Sequence, residues 1–317
     1  MKRVLLALSS TALLALAACG SGASGATGGS EGDGSLEVTA AFYPLQWASE
    51  RVGGEHVTVS GLTKPGAEPH DLELTPKTVA ELASSDVVVY LKGFQPAVDE
   101  AVATQAKDAG FDVAPDADLT VPATDDGHEH AGESAEEHSD HAEGALDPHF
   151  WLDPVRFQGV VTAIGERFAT ADTAHAADYR ANAAALVAEL ATLDGEFAAG
   201  LKQCRSDELV TGHAAFAYLA DRYGLSQEGI AGISPDAEPD AATLRELTAH
   251  VEEHGVTTVY SETLVDPALA DTLARETGAK VAVLDPLEGL TDSSKGSDYL
   301  EVMRSNLATL KAGQECS

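Results

Sequence analysis

Apolar residues along the chain fall into two alternating rhythms. Short runs at 36–41, 57–61 and 86–91 are rich in valine and leucine and end at turn residues, so they predict strands. Stretches at 45–52, 75–83 and 96–109 space their apolar positions three and four apart and predict helices. Thr75-Pro76 marks one helix start, with threonine as cap and proline at the first helical position. The region 155–201 reads as helical. Its later part, 172–201, contains no proline and is rich in alanine, which predicts one long helix. The alternation then resumes, with strands at 208–211, 256–260 and 280–284. Helices are predicted at 214–223, 241–254, 267–277 and 298–312, three of them stopped by Gly224, Gly255 and Gly278. The expectation is an α/β fold of two lobes, each with a small, mostly parallel sheet, linked by one long rigid helix. The lobes divide as 36–165 and 202–317, with the linking helix over 166–201.

Two stretches break the rhythm. Residues 124–144 (TDDGHEHAGESAEEHSDHAEG) have almost no apolar side chains beyond alanine and predict a disordered acidic loop. It holds His128, His130, His138 and His141, a composition that binds metal weakly and reversibly, and the loop is read as an auxiliary capture segment. At the other end of the chain, Lys2 and Arg3 precede an apolar run that closes on Leu16-Ala17-Ala18-Cys19, a signal-peptide pattern too short to span a bilayer. A cysteine after small residues resembles the bacterial lipobox, which implies cleavage before Cys19 and lipidation of its thiol. Residues 19–35 are Gly- and Ser-rich and read as a tether. The folded part is therefore expected outside the cytoplasm, anchored to the cell membrane.

That compartment changes the reading of the two remaining cysteines, Cys204 and Cys316. Outside the cytoplasm such a pair oxidises, and a disulfide would pin the C-terminus to the second lobe. The formal charge is −33, from 19 basic and 52 acidic residues. A field of that sign repels nucleic acid and anionic lipid, but bulk charge names no ligand.

The candidate chemistry lies in three histidines placed at abrupt ends of predicted elements. His70 follows Pro65, Gly66 and Pro69; His149 follows Pro148; His213 follows Gly212. In open α/β folds ligands bind at the carboxyl ends of strands, where such imidazoles can converge on one ion. Zinc accepts neutral imidazole nitrogen and asks for a fourth ligand, which a carboxylate in 283–290 would supply.

The segments GAEPHDLELTP (66–76), DPHFWLDP (147–154), GHAAFAYLADRYGL (212–225) and ETGAKVAVLDPLEGLT (276–291) together resemble the cluster A-I (cluster 9) metal-binding proteins of ABC importers, of the zinc-uptake receptor type. The resemblance covers nearly the whole mature chain. It puts His70, His149 and His213 on the three nitrogen-ligand positions. The third is glutamate in manganese-type members, so His213 favours zinc over manganese. Alignment with the family's acid-small-Leu segment makes Glu288 the fourth ligand, with Asp285 or a water as alternatives and Glu68 as a stand-in or supporting acid. The resemblance further implies a monomeric receptor that hands zinc to a membrane permease with a cytoplasmic ATPase, and no enzymatic reaction.

Rival readings are a manganese or iron receptor of the same family, a metal-binding surface adhesin, and a zinc hydrolase. His250-Val251-Glu252-Glu253-His254 formally matches a metallopeptidase pattern. It ends a helix at Gly255, where histidines favour the negative end of the dipole, and it has no third-ligand context, so the peptidase reading is rejected. Phe42, Tyr43, Trp47 and Trp151 are read as packing within or between the lobes.

Overall fold

In the computed structural model, residues 35–123, 145–237 and 239–317 are described. The first lobe runs β1 (Leu36–Ala40), α1 (Tyr43–Gly53), β2 (Val57–Gly61), α2 (Pro76–Leu82), β3 (Val87–Tyr90), α3 (Pro96–Gln105) and β4 (Gly110–Asp112). Its sheet is wholly parallel in the order β2-β1-β3-β4, with Val38 opposite both Val59 and Val87. Next come α4 (Pro154–Ala171) and α5 (Ala176–Gly200). The second lobe contains β5 (Glu208–His213), α6 (Ala217–Tyr223), β6 (Ser226–Ala231), α7 (Ala241–His254), β7 (Thr258–Ser261), α8 (Ala268–Thr277), β8 (Lys280–Val283) and α9 (Tyr299–Gly313). Its sheet repeats the first, parallel in the order β6-β5-β7-β8. In each lobe the strand order reverses at the first strand, and the loops beyond the strands' carboxyl ends are where such sheets carry their sites.

Three departures from the sequence reading have physical causes. Strands β4 and β6 were not expected: Gly110-Phe111-Asp112 is too short for a periodic signal, and β6 (SQEGIA) is polar because it lies at the sheet edge. The helix expected through 109 ends at Gln105, where the chain turns to feed β4. The linking helix expected over 166–201 begins only at Ala176, and residues 166–171 finish α4. Asp172 makes the break. Its Oδ1 accepts the Ala174 N–H at 3.1 Å, and its Oδ2 accepts from His175 Nδ1 at 2.6 Å and from the Tyr179 hydroxyl at 2.8 Å. An aspartate folded onto backbone two residues on offers the chain a turn in place of another helical bond.

The α4–α5 pair is tight. A Cβ added at Gly165 would lie 2.8 Å from the Ala183 Cβ, so glycine is what allows the approach. Helix α5 packs on α1 of the first lobe and on α9 of the second. The ion pairs Arg51–Glu189 (2.6 Å) and Arg304–Glu196 (2.8 Å) tie it to the same two helices. One apolar core runs through both lobes, from Val38, Val88 and Phe42 through Trp151 and Phe157 to Tyr299, Leu284 and Leu287. A smaller core of Val210, Leu247, Val251, Val259 and Leu273 lies under α7 and α8. No helix among the described residues is long and apolar enough to cross a membrane.

Cys204 and Cys316 form a disulfide across 112 residues. It lies beside backbone bonds from Arg205 N to Gln314 O (3.0 Å) and from Ser317 N to Gln203 O (2.9 Å), which hold the C-terminus near the start of β5. Cross-linking so long a loop chiefly restricts the unfolded chain. Replacing both cysteines by serine is expected to lower stability by about 2–4 kcal/mol, read from urea unfolding with and without reductant. Identical midpoints for parent and variant would contradict this.

Candidate metal centre

Three loops and the last residue of β5, at the inner ends of the two lobes, each deliver one side chain to a common point. His70 sits between β2 and α2. Its loop is held by Gln95, whose Nε2 donates to Pro69 O (3.0 Å) and Thr63 Oγ1 (3.3 Å), and by Glu68, whose Oε1 accepts the His70 N–H (2.9 Å). Phe94 meets the His70 ring edge-on at 4.7 Å. His149 precedes the turn Phe150–Leu152 that leads into α4. A single oxygen of Asp147 accepts both its backbone N–H (2.8 Å) and its Nδ1–H (2.7 Å).

His213 is the last residue of β5. The carboxylate of Glu262, the first residue after β7, takes its backbone N–H with Oε1 (2.8 Å) and its Nδ1–H with Oε2 (2.5 Å). A Cβ on Gly212 would lie 2.8 Å from that carboxylate, so the neighbouring glycine is what lets Glu262 reach the strand. Glu288 follows β8. Asp285 shapes its loop, accepting the Leu287 N–H (2.9 Å) and the Ser294 hydroxyl (2.7 Å), while Asn306 bonds both the N–H and the C=O of Asp285. These bonds hold Leu287 at φ +60°, an uncommon conformation for leucine, and turn Glu288 inward.

At the centre, Glu288 Oε1 lies 3.1 Å from His70 Nε2, 3.1 Å from His149 Nε2 and 3.2 Å from His213 Nε2. His70 Nε2 and His149 Nε2 are 3.3 Å apart. Nitrogen and oxygen donors about 2.0–2.1 Å from zinc at tetrahedral corners lie roughly 3.3 Å from one another, so these spacings suit such an ion. His149, His213 and Glu288 are fully buried, and His70 nearly so. Glu288 Oε2 is buried without a hydrogen-bond partner among the described residues.

The donors' protonation makes the case sharper. A carboxylate can only accept, so Asp147 and Glu262 fix the proton of each partner imidazole on Nδ1. A neutral His149 or His213 then aims its Nε2 lone pair at the Glu288 carboxylate. Such an arrangement is stable only with a proton or a cation among the donors. The electrostatics agree. Burial alone would push His213 down, but Glu262 and Glu288 hold it well above the usual histidine range. For His149 burial again acts downward, and Asp147 and Glu288 outweigh it. Burial would raise Glu288, yet His213, His149 and His70 keep it well below the usual carboxylate range. Among the described residues no carboxylate lies on His70 Nδ1, and burial lowers this histidine despite Glu288.

The four residues named from the sequence are thus brought together. Asp285 lies outside this group of four, and its oxygens accept from the Leu287 N–H and the Ser294 hydroxyl. Glu68 stays outside the tetrad, with Oε1 3.8 Å from His70 Nε2. It groups instead with Asp71 and Asp236, and burial lifts its carboxyl to about 7 despite the bond from the His70 N–H. Cys19 and the loop histidines His128, His130, His138 and His141 lie outside the described residues. Sequence reasoning missed Asp147 and Glu262 as supports. Asp147 stood two residues before a candidate ligand, and Glu262 directly after a buried strand, which are the signals that would have found them.

A family model described as "Zinc-uptake complex component A periplasmic" matches residues 38–313. The chain is 37% identical over 319 residues to the zinc-binding lipoprotein AdcA of Streptococcus pneumoniae, covering 98% of this chain and 61% of that protein. It thus spans about three fifths of the length of that relative. It is 35% identical over 304 residues to the high-affinity zinc uptake system protein ZnuA of Bacillus subtilis, covering 94% of this chain and 93% of that one. Among solved structures, the Zn(II)-bound ZnuA-like domain of S. pneumoniae AdcA aligns with a TM-score of 0.72 at 35% identity, over 89% of this chain and 100% of that chain. The laminin-binding protein of Streptococcus agalactiae, described as a bifunctional protein with adhesin and metal-transporting activity, aligns with a TM-score of 0.75 at 31% identity, over 88% of this chain and 99% of that one.

Proposed function

The chain belongs to the zinc-uptake complex component A family, and from that premise we propose that it is an extracytoplasmic receptor that captures zinc and delivers it to a membrane permease for uptake. Its ligands are His70, His149, His213 and Glu288. The observation that carries the reading is the convergence of three Nε2 atoms on one oxygen of a buried carboxylate. Three imidazoles and one carboxylate suit zinc better than manganese, which prefers an oxygen-rich set. Four protein donors complete a tetrahedron and leave no position for an activated water, so the site binds and does not catalyse. The receptor acts as a monomer, held at the membrane by lipid on Cys19, and its partner is a permease driven by a cytoplasmic ATPase.

The direct test is the metal content of the purified protein together with competition of zinc against manganese. One tightly held zinc per chain, not displaced by excess manganese, is expected; equal retention of the two metals would overturn the assignment. The carboxylate behind His213 offers a finer test. Glu262→Gln keeps the side chain's shape but weakens its hold on Nδ1–H. Zinc affinity should fall by about 10–100-fold, as measured by chelator competition, and an unchanged affinity would remove Glu262 from the centre. For the anchor, Cys19→Ser is expected to move the protein from the membrane fraction to the medium. Persistence at the membrane would refute lipidation.

A further inference from the structure

The rejected peptidase pattern has a different setting from the one its letters suggest. His250 and His254 stand one turn apart on the last turns of α7, on the same face. Their rings stack with centroids 4.3 Å apart. Both turn toward Glu208, the first residue of β5, and each takes a separate oxygen. His250 Nε2 lies 3.2 Å from Oε2, and His254 Nδ1 lies 3.3 Å from Oε1. The three ligand atoms lie within 4.8 Å of one another. Glu208 is fixed in place, since its backbone is paired in the sheet and its carbonyl accepts from Gln314 Nε2 at 2.8 Å. Its side chain is 14% exposed, against 27% for His250 and 44% for His254, so the group is built on one side and open to solvent on the other.

We propose that Glu208, His250 and His254 form a second metal site, open to solvent, that takes a divalent borderline transition ion such as zinc. Two imidazoles at i and i+4 with one carboxylate supply three of four tetrahedral positions, and water supplies the rest. The site stands apart from the buried centre. Glu208 and His213 occupy opposite ends of β5, which at about 3.3 Å per residue separates them by about 17 Å. It stands independently of the zinc-receptor reading.

Zinc is the probe. In every arm His128, His130, His138 and His141 are replaced by glutamine, so that the loop contributes no imidazole. The full chain is then titrated by equilibrium dialysis beside the same chain carrying His250→Gln and His254→Gln. The expected result is a tight and a weaker phase in the first protein, with only the weaker phase lost in the second. The retained tight phase serves as the control for folding. Glu208→Gln should weaken the second phase by about tenfold or more. If the weaker phase persists undiminished without the two histidines, or if the parent binds only one ion even at millimolar zinc, the pair is a helix-end cation partner and no metal site. Should the tight phase be the one missing while the weaker phase still depends on the pair, the surface site stands and the buried centre fails.

Discussion

Replacing His213 with alanine is expected to weaken zinc binding by more than about 100-fold, roughly 2.7 kcal/mol, as measured by competition with a chromogenic chelator. Outer partners of metal ligands already account for about 10–100-fold, and His213 is itself a donor in the proposed set. Its loss acts on both sides. Glu288 loses one of the three imidazoles that hold its charge, and Glu262 loses the Nδ1–H that its Oε2 accepts. Two buried carboxylates then face each other with less positive charge between them. Breaking one member out of a buried pair costs about 3–5 kcal/mol, so the variant should also melt earlier without zinc. The two readouts separate the roles. An early melt with affinity within about tenfold of the parent would make His213 a structural partner of Glu262 and remove it from the proposed set.

The second large effect is expected away from the donors. Trp151 is fully buried between the lobes. Its indole N–H donates to Pro286 O at 2.8 Å, its carbonyl accepts the Tyr299 hydroxyl, and its ring packs on Phe42 at 5.0 Å and His149 at 5.1 Å. Trp151→Ala should cost about 3–5 kcal/mol in urea unfolding, for a cavity of this kind in a close-packed core. It should also lower zinc affinity, because Pro286 stands two residues before Glu288 and the indole ties that loop to His149's turn. Trp151→Phe refines the test. It fills most of the space and leaves Pro286 O without its donor, at a cost of about 1–3 kcal/mol. A Trp151→Ala chain as stable as the parent would show that the inter-lobe core is not continuous through this ring.

Much of this was legible before folding, for identifiable reasons. His70, His149 and His213 stand beside proline or glycine at the ends of apolar runs, within segments that together resemble one family's motifs. Glu288 was harder, since Asp285, three residues earlier, stood as an alternative carboxylate. In the folded chain Glu288 is the carboxylate that groups with the three histidines, while Asp285 binds Leu287 and Ser294. Glu262 stood directly after a buried strand, but its partner was hidden, because its role depends on β7 lying next to β5, a pairing across almost fifty residues. Edge strand β6 escaped for a similar reason. Half-exposed edge positions tolerate Gln227 and Glu228, which mask the alternation that a buried strand displays. The stop at Asp172 hid inside an alanine-rich background whose helical propensity is high throughout.

The apolar core that runs unbroken through both lobes makes parting them costly. Swinging the halves apart would wet Trp151 and Tyr299, each with about 150–250 Å² of surface, at about 25 cal/mol per Å². That is about 4–6 kcal/mol for each ring, before the bonds from Trp151 and Tyr299 are counted. Residues 62–75 ask for far less. They form no strand or helix, they are partly exposed, and they carry His70, which unlike His149 and His213 has no carboxylate on Nδ1 among the described residues. A receptor of the proposed kind would then release zinc with less apolar exposure by easing His70 outward than by parting its two lobes.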